Sequence, residues 1–217
     1  MLHIKRFIFN PICVNTYVLW NSHEGSIIDC GCIDTYEWEE LYDFITSQNI
    51  TITHLLNTHL HLDHVLGNRF ATESFGLDVE ANKLDYPLYS DLRTQVCMFF
   101  GDNAASSLDY TFTSKIGKSL EEGSYIQIGD EKVEIISTPG HTPGSICFYN
   151  RENGILFSGD TLFQSSIGRT DLPGGNYEEI INSLSKLSSL PPSTTVYSGH
   201  GGKTTIESEL KYNPFLR

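Results

Sequence analysis

The segment Thr58-His59-Leu60-His61-Leu62-Asp63-His64 constrains this chain more than any other part of it. It places three imidazoles and a carboxylate within six residues. Imidazoles this close repel one another when protonated, and they contribute little to an apolar core. The same groups are good ligands of zinc, iron and manganese. The segment therefore predicts a metal site rather than a packing element.

Three further residues with metal-binding side chains each follow a short apolar segment that is typical of a strand. Because loops at one edge of a sheet can share a site, we expect these strand ends to lie together. The full set is too large for one tetrahedral ion and suits two ions, each with three protein ligands and a shared carboxylate. The predicted ligands are His59, His61, Asp63, His64, His141, Asp160 and His200.

Hydrophobic patterning predicts two similar series of strands and helices. Strands are expected at residues 5–9, 15–20, 25–29, 52–56, 125–128, 132–137, 145–149, 155–158 and 194–198, and helices at 35–48, 63–75 and 177–189. Residues 82–118 are expected to hold helical turns around 86–100 and a loop, with no role assigned. This order suits sheets packed on each other with helices outside, in a single domain over residues 1–217.

Composition narrows the class of partner. The 217 residues contain 27 Asp and Glu but 14 Lys and Arg, for a formal net charge of −13, which argues against nucleic acid. No apolar segment approaches the roughly 20 residues of a membrane span, and the first 20 residues lack a signal-peptide pattern. We therefore expect a cytoplasmic protein with a small-molecule substrate and reduced thiols, Cys30 and Cys32 included. The oligomeric state is not predicted.

With these residues identified, the sequence resembles the metallo-β-lactamase superfamily, and within it the glyoxalase II-like hydrolases. The resemblance covers essentially the whole chain. It rests on the segments 58–64, Thr-Pro-Gly-His-Thr-Pro-Gly at 138–144, Ser-Gly-Asp-Thr-Leu-Phe at 158–163, Gly-Arg-Thr-Asp at 168–171, and Gly-His-Gly at 199–201.

The resemblance implies an α/β (α+β) fold, a four-layer αββα sandwich with a dinuclear site at one edge of the sheets. It implies two divalent ions, with zinc expected first and iron or manganese as alternatives. It assigns His59, His61 and His141 to metal 1, Asp63, His64 and His200 to metal 2, and Asp160 to both as a bridge.

The activity implied is hydrolysis of a thioester, such as S-lactoylglutathione or another acyl-thiol, by a metal-bridged hydroxide. Asp63 and Asp160 are the expected catalytic carboxylates, and Asp63 would orient the water. A thiolate, with a thiol pKa of about 8.5, leaves without a separate general acid. Glyoxalase II proper continues into a helical domain, whereas 17 residues follow His200 here and Gly201-Gly202 replaces its acidic-Tyr pair. The thiol of the substrate is therefore left open.

Three other functions stay open at this stage. A persulfide dioxygenase would use one iron held by His59, His141 and Asp160. A β-lactamase or lactonase would act on a cyclic amide or ester, and a metal-storage module would not act as an enzyme. Arg169 and Lys203 are weak candidates for binding a substrate carboxylate, and for Arg169 a structural pairing with a residue of its own loop is favoured.

Overall fold

The computed structural model describes residues 2–102 and 114–216, and most of their strands form two six-stranded sheets. The first sheet contains β1 (Leu2–Phe9), β2 (Val14–Asn21), β3 (Glu24–Ile28), β4 (Thr51–Leu56), β5 (Val79–Ala81) and β6 (Ile116–Ser119), in that spatial order. The second contains β7 (Tyr125–Ile128), β8 (Glu131–Ser137), β9 (Ile146–Asn150), β10 (Ile155–Gly159), β13 (Thr195–Ser198) and β14 (Thr204–Thr205). Its spatial order is β14-β13-β10-β9-β8-β7, and β11 (Leu162–Phe163) pairs with β12 (Ser166–Ile167) as a separate hairpin.

Helices cover the outer faces of the two sheets. They are α1 (Thr35–Ser47), α2 (Leu62–Val65), α3 (Asn68–Phe75), α4 (Tyr86–Ser90), α5 (Leu92–Phe100), α6 (Tyr177–Ser188) and α7 (Ile206–Tyr212). In each half an antiparallel meander leads through one helix to a parallel strand: α1 joins β3 to β4, and α6 lies between β10 and β13. The recurrence of elements in the two halves is confirmed.

The alternation of side chains along the strands produces the layers. In β2, Tyr17 and Leu19 enter a core shared by the two sheets, whereas Val18 points to the core beneath the first set of helices. In β9, Phe148 enters the shared core and Tyr149 packs toward α6. Because both faces of each sheet are covered, the chain forms the predicted αββα sandwich.

Helix α1 shows how the local sequence produces one of these outer layers. Asp34 caps it by accepting a hydrogen bond from the Glu37 amide, an interaction worth about 1 kcal/mol in typical proteins. Trp38, Leu41 and Ile45 lie on one face at helical spacing and are buried against the first sheet.

The expected helix at 63–75 is wrong in one respect, because two helices occupy it. α2 ends at Val65 and α3 begins at Asn68. The chain between them passes against the turn after β3: the Gly67 amide donates to the Cys30 carbonyl at 2.8 Å. A Cβ on Gly67 would lie 2.7 Å from Cys30 Sγ, so this close approach needs glycine.

Several short elements were not predicted. β5, β6, β14 and the β11–β12 hairpin have two to four residues each, too few for a period to be recognised. β6 lies where turns and a loop were expected, and the remainder of that loop falls on residues 103–113, outside the described residues. α7 follows the last predicted strand, in a segment for which no helix was predicted. The helical turns expected around 86–100 are confirmed as α4 and α5.

The five cysteines are free thiols. Cys30 and Cys32 are fully buried in the outer core of the first sheet, in line with the structural role expected for them. Burial raises the pKa of Cys147 to about 12, so this thiol keeps its proton at neutral pH. Across residues 2–102 and 114–216, no helix combines the length and apolar character needed to cross a membrane.

Candidate metal centre

The predicted ligands come from the loops after four strands, β4, β8, β10 and β13. The first four of them occupy the end of the β4 loop and α2, and His141, Asp160 and His200 follow the other three strands singly. All seven side chains lie together at one edge of the two sheets. Except for Asp160 and His200, which are partly exposed, they are buried.

Three imidazoles form one side of the cluster. His59, His61 and His141 have ring centroids 4.6–4.9 Å apart in each pair. Nδ1 of His61 lies 2.9 Å from Nε2 of His141. One nitrogen of each ring lies within 4.8 Å of the others, a spacing that three ligands of a single ion can adopt.

The other side of the cluster combines Asp63, His64 and His200. Oδ2 of Asp63 lies 3.1 Å from His200 Nε2 and 3.6 Å from His64 Nε2. Asp160 stands between the two groups: its Oδ1 is 3.4 Å from His64 Nε2, and its Oδ2 is 3.6 Å from His141 Nε2 and 3.6 Å from His200 Nε2. Its two oxygens can therefore serve both sides.

Polar groups behind three of the imidazoles contact their Nδ1 atoms and favour one orientation of each ring. Nδ1 of His64 lies 3.0 Å from Asp29 Oδ2. Nδ1 of His141 is 2.8 Å from the Arg169 carbonyl, and Nδ1 of His200 is 3.2 Å from the Cys13 carbonyl. In each of these three histidines, Nδ1 makes the contact and Nε2 faces the cluster.

Asp29 also holds the turn that begins the metal-binding segment. Its two carboxylate oxygens accept hydrogen bonds from the Thr58 amide at 2.8 Å and the Thr58 hydroxyl at 2.7 Å. The sequence analysis missed this residue. Its position in the sequence could have indicated it. Asp29 directly follows the buried Ile27 and Ile28 at the end of β3, in the same way that Asp160 follows β10.

Asp85 is a second positioning residue that the sequence analysis missed, and no local signal marks it. It is fully buried. Its carboxylate accepts from the Leu60 amide at 3.2 Å, the Thr142 hydroxyl at 2.7 Å and the Gly144 amide at 2.6 Å. Asp85 thus ties the loop of His59 and His61 to the loop of His141.

Two glycines allow the backbone to approach Asp160. A Cβ on Gly199 would lie 2.1 Å from Asp160 Oδ1, and one on Gly168 would lie 1.8 Å from the Asp160 carbonyl oxygen. Strand β2 holds the same region from the other sheet, since Tyr17 Oη donates to the Ser198 carbonyl at 2.7 Å. Burial raises the pKa of Tyr17, so the phenol retains the proton that it donates.

Burial and neighbouring charges set the protonation of the cluster. Burial, with the positive charge of neighbouring imidazoles, lowers the pKa of His59 strongly and that of His61 to about 3. Burial alone would raise the pKa values of Asp63 and Asp160, but His64 and the other imidazoles nearby outweigh it and lower both. Neutral imidazole and ionised carboxylate are the forms that bind a cation.

His64 itself balances the carboxylates around it. Burial alone would lower its pKa, but Asp63, Asp29 and Asp160 outweigh burial and raise it well above the ordinary value. A proton on His64 thus neutralises part of the negative charge of these carboxylates. A divalent cation would take over that role.

Orphaned polar atoms test whether the cluster fits a metal. In the described part of the chain, His59 Nε2, His64 Nε2 and Asp160 Oδ1 are buried with no hydrogen-bond partner. Buried polar atoms are rarely left in this state without a reason, and three of them converge here. The donor set of imidazole nitrogens and carboxylate oxygens fits divalent metal ions.

The two weaker candidates for substrate binding, Arg169 and Lys203, occupy different positions relative to the cluster. Arg169 lines the cavity in front of the cluster, and its guanidinium makes two hydrogen bonds of 2.7 Å to the Asp171 carboxylate. The structural pairing favoured for Arg169 is therefore present. Lys203 is exposed and does not line this cavity. His54 contacts Glu80 and lies away from the cluster.

A cavity of about 470 Å³ opens over the cluster. Five of the seven predicted ligands line it, namely His61, Asp63, His141, Asp160 and His200. Its remaining wall is mixed, with Phe99, Phe163 and Leu172 beside Ser166 and Arg169. This volume falls within the range of about 300–1,000 Å³ that is typical of small-molecule sites.

The two packed sheets, with a cluster of metal-binding side chains at one edge, define the class of protein as a metallohydrolase. The chain belongs to the metallo-beta-lactamase superfamily, whose family model matches residues 11–200. A probable metallo-hydrolase of Bacillus subtilis, YqgX, is 34% identical over 216 residues, covering 98% of this chain and 96% of its own. The hydroxyacylglutathione hydrolase GloC of Haemophilus influenzae is 36% identical over 205 residues, covering 93% of this chain and 92% of its own.

Solved structures agree with this assignment. The B3 metallo-beta-lactamase BLEG-1 is similar with a TM-score of 0.85 and 32% identity, covering 99% of both chains. TTHA1623, determined in a di-iron-bound form, gives a TM-score of 0.83 and 33% identity over 98% of this chain and all of its own. ETHE1 from Myxococcus xanthus shares the fold, with a TM-score of 0.77 and 22% identity over 98% of this chain and 83% of its own.

Proposed function

We propose that this protein hydrolyses a thioester of a small molecule at a dinuclear metal centre, with zinc as the expected metal and iron or manganese as alternatives. His59, His61 and His141 would hold one ion, and Asp63, His64 and His200 the other. Asp160 would bridge them. The proposal treats residues 1–217 as one domain that carries the complete site.

The observation that carries the proposal is the position of Asp160 between the two groups. Its two oxygens lie 3.4–3.6 Å from three imidazole nitrogens that belong to both groups. A single ion would need only part of this set. Six further donor residues arranged around one carboxylate match the recurrent two-metal arrangement of hydrolytic enzymes.

When bound, such ions would lower the pKa of coordinated water to roughly 7 and polarise a substrate carbonyl. The residues of the chain would provide the remaining requirements. Arg169 and Cys13 would orient His141 and His200 through their carbonyls, and Asp29 would orient His64. Asp63, ionised and facing the cavity, would orient the attacking water.

The leaving group favours a thioester over an amide. Among the described residues that line the cavity there is no Lys, Tyr or Cys to act as a general acid. A thiolate can leave unprotonated because its thiol has a pKa of about 8.5. The similarity to GloC, named as a hydroxyacylglutathione hydrolase, supports the same substrate class. S-lactoylglutathione and other acyl-thiols are therefore the first substrates to test.

Metal analysis combined with a thioester panel tests the proposal. We expect about two metal ions per chain and hydrolysis that a chelator abolishes and added metal restores. His59→Ala should lose metal and activity together, whereas His54→Ala, a histidine outside the cluster, should lose neither. Two bound metals without cleavage of any thioester would contradict the substrate class. One bound metal in the active protein would contradict the dinuclear centre.

A mononuclear-iron persulfide dioxygenase is the second candidate. The observation that favours it is that His59, His141 and Asp160 lie in one cluster and would suffice for one iron. The similarity to ETHE1 adds only the fold. Oxygen uptake with a glutathione persulfide, with one iron per chain and unchanged in His200→Ala, would support it over hydrolysis.

A β-lactamase or lactonase is the third candidate, favoured by the 32% identity to BLEG-1. A chromogenic lactam and a homoserine lactone test it directly. Turnover of either, at a kcat/KM above that for every thioester, would reassign the substrate class while leaving the metal centre unchanged. A metal-loaded protein that is inert toward all of these compounds would instead support metal storage.

A further inference from the structure

A second, smaller cavity lies beside the cavity over the proposed metal centre. It has a volume of about 150 Å³ and lies between α4, α5 and the loop at residues 172–173. His61, Phe99 and Leu172 line both cavities, so the two lie side by side. The wall beyond this junction consists mostly of Pro87, Leu88, Met98 and Pro173. A group in the small cavity would thus be attached, through a short link, to a group beside the metal ligands.

The polar residues of the small cavity are already used or lie at its rim. The amide of Gln95 accepts from the Leu62 amide at 2.8 Å and donates to the carbonyls of Leu60 and Leu88 at 3.3 and 2.8 Å. Asp91 and Thr94 are both exposed, and Asp91 caps α5. The interior therefore offers a ligand apolar contacts rather than hydrogen bonds, and the rim carries a negative charge that disfavours anionic groups.

We infer that the small cavity binds an apolar acyl side chain of the substrate, of about the size of a phenyl group. The inference rests on the proposed thioester hydrolysis and specifies its substrate class. A dry cavity of about 150 Å³ is large enough for benzene. It is below the roughly 300 Å³ at which sites for larger ligands begin, so the thiol carrier cannot occupy it.

The larger cavity is the place for the thiol carrier. At about 470 Å³ it has the required volume, and Ser166 and Arg169 give it polar groups that the small cavity lacks. The reacting carbonyl would then lie beside the metal ligands, with the acyl side chain directed past His61 and Phe99. Met98, with an exposure of 51%, is flexible enough to adjust to acyl groups of different shape.

Acyl preference tests the inference in the active protein. The substrates are S-acetylglutathione and S-phenylacetylglutathione, and each rate is divided by the rate of uncatalysed alkaline hydrolysis. We expect kcat/KM to favour the phenylacetyl compound by at least about tenfold, since one methylene in an apolar site is worth roughly 10–200-fold. The same preference should hold for the N-acetylcysteamine thioesters. A ratio near one, or a preference that follows the thiol, overturns the inference and leaves thioester hydrolysis standing.

A charge placed in the cavity should remove the preference. Met98→Lys should lower the phenylacetyl-to-acetyl ratio by about tenfold. Leu84→Lys is the matched control, because Leu84 has an exposure of 57% and lies nearby without lining either cavity. Equal ratios in Met98→Lys and the unmodified protein would overturn the inference.

Binding without catalysis separates this inference from the proposed function. The chain has two methionines, Met1 and Met98, so methionine labelled with ¹³C at its methyl gives two resolvable signals, assigned with Met98→Leu. Titration with phenylacetamide, which is neutral and inert, should shift the Met98 signal saturably and leave the Met1 signal in place. If thioesters are not cleaved, this shift still supports an apolar binding site. An unchanged Met98 signal overturns it.

Discussion

The two halves of the molecule contribute to the metal centre in different ways. In the first half, β4 leads into a single segment that carries His59, His61, Asp63 and His64. In the second half, three strands supply one residue each, from loops that are 19 to 59 residues apart in the chain. Each half has an antiparallel meander and a helical crossover to a parallel strand, and the loops at the strand ends decide how many ligands each strand supplies.

The halves also differ in how their imidazoles are held. His64 is oriented by a side chain, Asp29, whereas His141 and His200 are oriented by the backbone carbonyls of Arg169 and Cys13. A carboxylate can be removed by substitution, but a carbonyl is present whatever the residue. The orientation of the imidazoles therefore depends on a particular side chain in the first half and on the folding of the loops in the second half.

The largest effect is expected where the two halves meet, at Asp160. Asp160→Asn removes the charge that serves both groups, so metal content should fall from about two ions toward one or none. We expect kcat/KM to fall on the order of 10³-fold or more, as for the loss of a central catalytic group. Metal analysis and thioester kinetics measure both effects.

Asp171→Asn is the matched control for Asp160→Asn, because Asp171 is an exposed carboxylate close in the chain that faces no imidazole. Retention of two ions and more than a tenth of the activity in Asp160→Asn would show that the halves bind metal independently.

A smaller effect is expected from the groups that orient the imidazoles. Asp29→Asn weakens the hold on Thr58 and His64, and loss of such a partner commonly costs 10–100-fold in metal affinity or activity. Cys13→Ser keeps the carbonyl that His200 contacts, so its affinity should stay within about twofold of that of the unmodified protein. Competition with a chromogenic chelator measures both variants. Equal losses in the two would refute the difference between the halves.

Asp85 joins the halves through hydrogen bonds rather than through a metal ion. Asp85→Ala leaves the Leu60 and Gly144 amides and the Thr142 hydroxyl without their acceptor, at a cost of about 2–3 kcal/mol in the free energy of unfolding. The midpoint of thermal unfolding should fall by about 4–12 °C.

Of the two proposed ions, the one at His59, His61 and His141 should be bound more weakly in Asp85→Ala, because the lost hydrogen bonds lie in the loops that carry these histidines. Asp78→Ala removes an exposed carboxylate paired with Lys115 and should change stability by less than about 0.5 kcal/mol. If the two aspartate variants unfold alike, Asp85 does not join the loops.

The smallest effect is expected at the exposed pair of Arg169 and Asp171. Its hydrogen bonds lower the pKa of Asp171 to about 2, so the stabilisation is present above the ordinary pKa of about 4 and is lost as the pH falls through 2. Arg169→Ala should leave the midpoint of thermal unfolding close to that of the unmodified protein, because exposed ion pairs contribute little to stability. The contact with His141 should persist, because the backbone carbonyl of residue 169 makes it. A tenfold rise in KM confined to thioesters with a carboxylate would instead assign Arg169 to substrate binding.

Much of the fold could be predicted because its signals are local. The long strands have buried alternating faces, and α1 has a capping aspartate and an apolar face at helical spacing. Their bounds agree with the patterns to within a few residues. The predicted helix over 63–75 failed because its interruption depends on Cys30, a residue more than 30 positions away in the chain.

The segment from Thr58 to His64 could be interpreted from the sequence alone, because its spacing brings the donors together without help from the rest of the chain. The convergence of His141, Asp160 and His200 on that segment was an inference, and only the packing of two sheets gives it distances. Asp85 and the two carbonyl contacts carry no local signal, since a buried carboxylate or a backbone oxygen acquires a role only from what the fold places beside it. The small apolar cavity likewise exists only where two helices and a distant loop meet.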